Sequence, residues 1–211
     1  MPSPTGAGDH WDAVYAARDE TALTWFEAEP RLSLSLIAAN ARPGDAILDV
    51  GGGASRLVDA LLASGLGPVT VLDLSADALA RSRARLGDRA AEVTWIVGDV
   101  TEAGPPGRFA VWHDRAAFHF LTEPAARAAY VAALRAALPS GGVAIVSTFA
   151  EDGPETCSNL PVRRYAPEDL AAELGAHAPG LLVPVEARRH VHTTPRGARQ
   201  SFQTSVFRRP G

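Results

Sequence analysis

Lysine is absent from this 211-residue sequence, and all 20 basic residues are arginine. We read that replacement as GC-rich coding bias, which says more about the genome than about function. Cysteine occurs once, at Cys157. No internal disulfide can therefore form, and without a CxxC or Cys/His cluster no metal site is expected. The longest apolar runs fall far short of the roughly 20 residues that a membrane span needs, so no membrane partner is expected. The opening "MPSPTGAG" has neither a basic region nor an apolar one and reads as a disordered leader, not a signal peptide. A soluble, reducing, cytoplasmic setting follows as the expectation. The formal net charge of −4 gives no general reason to bind a polyanion, although the tail from Arg163 is modestly basic. Nucleic acid is not expected as a partner, and a monomer or homodimer is.

What is present is an alternation of strands and helices. Two helical stretches, "HWDAVYAARDE" and "PRLSLSLIAAN", precede any strand. Then come "AILDV" (46–50) and a helix stopped by Gly65, "VTVLD" (69–73) and a helix stopped by Gly87, and the strands "EVTWIVGD" (92–99) and "RFAVWHD" (108–114). A long helix starts at Pro124, "VAIVSTF" (143–149) is a fifth strand, and a short helix "PEDLAAELG" follows. The strands show little alternation in hydropathy, as expected of a parallel sheet covered on both faces. This is a doubly wound α/β pattern. The last two strand-like runs, "LLVPVEARRHV" and "QSFQTSVFRR", are joined by a connector too short for a parallel crossover, so they read as an antiparallel hairpin. One domain is expected: a leader over 1–8, a helical lid over 9–42 and a core over 43–211.

The stretch "ILDVGGGAS" places a carboxylate, Asp49, before three consecutive glycines, Gly51, Gly52 and Gly53. A glycine-rich turn between strand and helix brings a ligand against bare backbone. A dinucleotide would need G-x-G-x-x-G, but the third position falls on Arg56, and Asp49 would repel the pyrophosphate. S-adenosylmethionine, with its sulfonium and ammonium, suits a carboxylate there. On these residues the chain resembles the class I S-adenosylmethionine-dependent methyltransferases, over roughly residues 10 to 209, with Ser55 in place of the last motif glycine. The resemblance implies a Rossmann-like seven-stranded sheet with an antiparallel terminal strand, and S-adenosylmethionine as cofactor with S-adenosylhomocysteine as product. It maps the ribose-binding acid to Asp73, with Leu74 beside it, and the adenine-binding acid to Asp99, with the backbone of Val100 next. Each residue also has a plainer reading. Asp73 can lead into Ser75 as a helix cap, Asp99 can open a turn, and Asp49 can orient the loop amides.

After the fourth strand stands "WHDRAAFHFL". The proline-rich [DN]-P-P-[YF] tetrapeptide of nucleic-acid and glutamine amino-methylating enzymes is missing, which lowers those acceptor classes. His113, Asp114, Arg115 and His119 stand in its place, and either histidine is a candidate general base, with Asp114 a third catalytic candidate. The alternative is an Asp114–Arg115 ion pair that shapes the loop while His119 packs. Trp11, Tyr15, Trp25 and Phe26 precede the first strand, and this W-D-x-x-Y segment with its W-F pair resembles the front end of small methyltransferases, which implies that Trp11, Tyr15 and Trp25 cap the cofactor; His113 is a further cofactor-binding candidate. Packing is the alternative. Arg163 and Arg164 can hold an anionic substrate or be solvated, and Cys157 reads as an incidental thiol. His190 and His192 face one side of a strand with no third metal ligand nearby. The expected activity is methyl transfer to an N, O or S nucleophile of a small molecule. A protein lysine acceptor and a non-catalytic binding module are the alternatives.

Overall fold

The structure, a computed structural model, describes residues 5–102 and 104–211. Its centre is a seven-stranded sheet. Parallel strands β1 (Ile47–Val50), β2 (Val69–Asp73), β3 (Val93–Val97), β4 (Val111–Arg115) and β5 (Val143–Phe149) stand in the order β3-β2-β1-β4-β5. A two-residue ribbon, β6 (Thr156–Cys157) and β7 (Leu160–Pro161), follows. The terminal hairpin, β8 (Val183–Thr193) and β9 (Arg199–Arg208), completes the sheet with β9 antiparallel beside β5 and β8 at the edge.

Alternation of side chains along each strand sorts the core into two layers. Ile47, Val69, Val71, Val111, Ile145 and Val206 face α2 (Arg31–Asn40), α3 (Leu57–Ala63) and α4 (Ala76–Leu86). Leu48, Val50, Leu72, Trp112, Val146 and Phe207 face α5 (Pro124–Ala137) and α6 (Pro167–His177). Both faces are covered, so hydropathy does not alternate although direction does. Local chemistry sets the helix starts. Ser75 Oγ accepts from the Ala78 N–H at 3.0 Å, and Pro124 and Pro167 open α5 and α6 where a missing N–H costs nothing.

The N-terminal region departs from the expected lid over 9–42. Helix α1 spans Thr5–Ala17 and so begins inside the stretch read as leader, while residues 1–4 lie outside the described residues. Helix α2 belongs to the sheet layer, because Leu36 and Ile37 are fully buried in that core. Helix α1 and the chain to Glu27 lie over the ends of β1 and β2, while α2 reaches that end of the sheet through Ser33. No helix among the described residues is long and apolar enough to cross a membrane.

Beneath β4 the Tyr130 hydroxyl donates to Asp114 Oδ2 at 2.7 Å and accepts from Trp112 Nε1–H at 2.8 Å, all three side chains being buried. Tyr130→Phe leaves a buried indole N–H without its partner and removes a donor from a buried carboxylate. Urea unfolding should show a loss of about 1 to 3 kcal/mol, the cost of an unsatisfied buried group.

Candidate functional site

The carboxyl ends of β1, β2 and β4 meet at the glycine turn. Gly51 N–H bonds to Leu72 O at 2.8 Å, and Gly51 and Gly53 adopt positive φ (68° and 43°), which favours glycine. Space is the second constraint. A Cβ on Gly52 would lie 2.5 Å from Asp49 Oδ2 and 2.6 Å from Val71 Cγ1; one on Gly53 would lie 2.6 Å from the Tyr15 hydroxyl and 3.0 Å from Asp73 Oδ2. Asp49, Asp73 and the turn are thus one packed group, and the atoms that leave no room for a Cβ at Gly52 and Gly53 are the protein's own side chains.

Asp73 is buried and accepts from the Ser75 N–H at 2.8 Å, so the helix-cap arrangement weighed from sequence exists alongside any ligand role. Burial raises its carboxyl from 3.8 to about 7. The Asp49 charge adds to the rise, and N–H bonds from Ser75 and Gly53 work against it. Asp99 accepts from both the Thr101 N–H and hydroxyl at 2.7 Å, forming the turn that was its plainer reading. Val100 packs into the α5-side core. The Leu74 carbonyl lies against Gly8 of α1, where a Cβ would be 3.3 Å away.

The segment before Pro30 covers these groups. Asp12 Oδ1 accepts from the Ser75 hydroxyl at 2.5 Å, and Arg81 donates to the carbonyls of Tyr15 (2.6 Å) and Arg18 (3.1 Å), so α4 grips α1 along its length. Glu20 bridges Arg56 and Arg85, the latter at 2.9 Å. Further on, Arg115 donates from both terminal nitrogens to Trp25 O at 3.1 Å and pairs with Glu27 at 3.0 Å. His192 Nε2–H donates to Thr24 O at 2.8 Å. Burial opposes the Glu27 charge, but the His192 contact and Arg115 outweigh it and hold Glu27 below the usual carboxylate range. The Trp25 ring lies edge-on to Trp11 (5.9 Å) and Tyr15 (6.1 Å). Between this segment and the glycine turn is a cleft of about 380 Å³, open mouth included, lined by Tyr15, Trp25, Ser33, Asp49, His113 and Arg115 among others.

The loop after β4 corrects several expectations. Asp114 follows His113 in a strand, so it points to the opposite face. There it is fully buried and accepts from Ala117 N–H (2.9 Å), Phe118 N–H and Tyr130, while burial lifts its carboxyl to about 6. It is a loop anchor, not a catalytic group at the cleft. It does not pair with Arg115, which goes to Glu27. His119 is also fully buried, between Phe120 and Phe149, with Nδ1 accepting from the Phe149 N–H at 3.3 Å. Burial, reinforced by the Arg115 charge, lowers it to about 3, which makes it a weak base with no exposed atom. His113 does line the cleft, but both ring nitrogens are engaged: Nδ1 lies 2.7 Å from Asp49 Oδ1 and Nε2 2.9 Å from Ser33 Oγ. Burial pushes the Cys157 thiol up to about 11, away from nucleophilic use. Arg163 and Arg164 pair with Glu173 and Glu155. Among the described residues no group of three His, Cys, Asp or Glu is placed to hold a metal. Sequence reading missed Ser33, Glu20, Glu27 and Arg81, which meet their partners only through the fold.

Residues 47–142 match the family model of a methyltransferase domain. No curated protein sequence matches the chain. Among solved structures, a protein of echinomycin biosynthesis, described by the conversion of a disulfide bond into a thioacetal group, aligns with TM-score 0.76 at 23% identity over 96% of this chain and 93% of its own. The 1,6-didemethyltoxoflavin-N1-methyltransferase of Burkholderia thailandensis, with 1,6-didemethyltoxoflavin and S-adenosylhomocysteine bound, aligns with TM-score 0.72 at 22% identity over 100% and 92%. The glycopeptide N-methyltransferase MtfA, in complex with S-adenosylmethionine, aligns with TM-score 0.67 at 18% identity over 92% and 99%. At these identities the likeness shows the fold.

The raised Asp73 carboxyl has a direct consequence for stability. A group raised in the folded state contributes stability that is fully present below its unfolded value near 4 and is lost as pH rises through about 7. Asp73→Asn keeps the oxygen that accepts from Ser75 but carries no charge. The ligand-free variant should match the wild type near pH 3, below the unfolded value, and exceed its stability at pH 8, by roughly 1 to 4 kcal/mol at about 1.4 kcal/mol per pKa unit. The lowered His119 gives the opposite slope, with stability lost as pH falls from about 6.5 toward 3, but it is common to both proteins and cancels in the difference. Urea unfolding at the two pH values is the measurement.

Proposed function

We propose that this chain, a class I methyltransferase by its fold and by the methyltransferase domain over residues 47–142, moves a methyl group from S-adenosylmethionine to an N, O or S nucleophile of a small molecule. The observation that carries this reading is the pair of buried carboxylates, Asp49 and Asp73, flanking a glycine turn with no room for side chains. Buried carboxyls at the ends of both strands suit a donor that brings positive charge and hydroxyl groups, and oppose a pyrophosphate. The similar proteins that methylate toxoflavin precursors and glycopeptides support a small acceptor over a macromolecular one.

When bound, S-adenosylmethionine supplies a methyl group already activated on sulfonium, and the reaction is an in-line displacement. The chain's contribution is then alignment and exclusion of water. Asp73, with two carboxylate oxygens, would accept both ribose hydroxyls, with Leu74, Asp99 and Val100 on the adenine side. Asp49 and the Gly51–Gly53 turn would take the methionine end. Tyr15 and Trp25, with Trp11 behind them, would close over it as a lid spanning α1 to Glu27. The acceptor would enter on the side of Arg115. His119 has no path to it and His113 is occupied by Asp49 and Ser33, so proton removal is assigned to neither.

Calorimetric titration with S-adenosylhomocysteine tests the cofactor. Wild type should bind, NAD should not, and Asp73→Ala should lose about 1.5 to 3 kcal/mol, the range for hydrogen bonds to a charged group. An unchanged affinity in that variant would sink the ribose assignment. Methyl transfer over a panel of thiols, phenols, heteroaromatic amines and lysine peptides separates enzyme from binding module: turnover of none of these supports the module.

A further inference from the structure

A second cleft opens beside the first, with a volume of about 300 Å³, mouth included. The two share Trp25, Ser55 and Arg115 as a common wall, so the second lies on the side where the acceptor would enter. Its lining is of two kinds. Trp25 and Phe26 of the covering segment supply aromatic surface, and Glu20, Glu27, Arg56 and Arg115 supply charge. Two positive and two negative groups cancel, so net charge does not choose the occupant. Unused hydrogen-bonding capacity does.

Both carboxylates already have partners. Glu20 accepts from Arg56 through one oxygen and from Arg85 through the other, at 2.9 Å. Glu27 pairs with Arg115 at 3.0 Å and lies 3.5 Å from His192 Nδ1. Arg115 in turn directs both terminal nitrogens at Trp25 O. Arg56 is different. A guanidinium carries five N–H donors, and among the described residues the only hydrogen bond of this one runs from Nη2 to Glu20. Its Nε is buried with no partner, while 33% of the side chain is exposed. The guanidinium carbon stands 6.0 Å from the centre of the Phe26 ring. The cleft therefore offers spare donors in a planar fork beside aromatic faces. A carboxylate meets such a fork with two parallel bonds. A cation would find Glu20 and Glu27 paired.

We propose that this second cleft binds the methyl acceptor and selects one that carries a carboxylate on a planar, largely apolar body. Arg56 takes the carboxylate, and the body lies along Trp25 and Phe26. The inference rests on the methyl-donor reading above, which leaves the chemistry of the acceptor open. It assigns Arg56 a part in specificity beyond its tie to Glu20. The covering segment then helps to choose the acceptor, because Trp25 and Phe26 belong to it.

Matched pairs of ligands test this: benzoate, 2-naphthoate and indole-3-carboxylate, each against its primary carboxamide, which keeps the shape and loses the charge. Calorimetry would be run at pH 8 on protein saturated with S-adenosylhomocysteine, for wild type, Arg56→Gln and Arg56→Lys, each checked for folding by circular dichroism. Wild type should prefer acid over amide in at least one pair by roughly ten- to a hundredfold, the range for hydrogen bonds to a charged group. Arg56→Gln should bring the two to equal affinity by weakening the acid alone, with S-adenosylhomocysteine binding unchanged. Arg56→Lys keeps the charge but not the fork, so it should lose most of the preference, and it carries the test if Arg56→Gln does not fold. No acid preference in wild type, or a full preference in either variant, would overturn the inference. So would equal losses for acid, amide and S-adenosylhomocysteine, which would mark Arg56 as a strut of the covering segment. Failure of wild type to bind S-adenosylhomocysteine would instead sink the methyl-donor reading. The pairs titrated alone would then decide the carboxylate site by the same criteria.

Discussion

Where β1 and β2 end, the backbone from Gly51 to Gly53 runs against two carboxylates with no gap for a side chain. A Cβ at Gly52 would meet Asp49 and Val71, and one at Gly53 would meet Tyr15 and Asp73. Neighbouring parallel strands put both acids on the same face, and the segment before Pro30 buries them. Two like charges removed from water at one place oppose folding. The fold offsets this with N–H donors aimed at each: Ser75 and Gly53 at Asp73, His113 at Asp49. The offset is incomplete at Asp73, whose carboxyl remains lifted to about 7. A site that strains the empty protein in this way gains most from a ligand that brings positive charge and hydroxyl donors, which is the trade between stability and function seen at binding sites.

The covering segment is held through its own carbonyls as well as through the side chains of Asp12, Glu20 and Glu27. Arg81 of α4 grips Tyr15 O and Arg18 O, Arg115 of β4 grips Trp25 O, and His192 of β8 grips Thr24 O. Donors from three elements of the core thus fix the path of the segment, and its Tyr15 and Trp25 line the cleft. The first anchor lies beside Asp73 and the other two lie on the far side of the turn, beside the terminal hairpin. Trp25, in edge contact with both Trp11 and Tyr15, joins the two halves. Under the methyl-transfer reading the nucleoside end and the acceptor end would share one cover.

Much of this architecture was legible in the sequence for local reasons. The strands at 69–73 and 143–149 and the helix at 76–86 have the bounds expected, because Ser75 and Gly87 punctuate the helix and the strands have β-branched interiors. The hairpin followed from the length of its connector. Helix α2 was misplaced because "PRLSLSLIAAN" has the same apolar period whether it covers a cleft or a sheet, and only the packing of Leu36 and Ile37 distinguishes them. Asp114 was within reach of sequence reasoning. Once the strand is extended to Arg115, its neighbours His113 and Arg115 take one face and Asp114 must take the other. The partners of His113 were beyond reach, since Ser33 is 80 residues away and no local pattern links them.

The histidines show most clearly how titratable groups are used here. Chemistry alone selects His113 and His119 as bases because their unperturbed range lies near neutrality. The fold hydrogen-bonds one to a carboxylate and a hydroxyl and uses the other to receive a backbone N–H between two phenyl rings. Both are thereby committed to holding geometry. That use fits a reaction whose leaving group is already activated, because what then limits the rate is how well acceptor, carbon and sulfur line up. An acceptor that ionises near neutral pH, or that is a neutral amine, can attack without a protein base. Under the methyl-transfer reading, the engagement of both histidines fits acceptors whose nucleophilicity is intrinsic better than those that must be deprotonated in place.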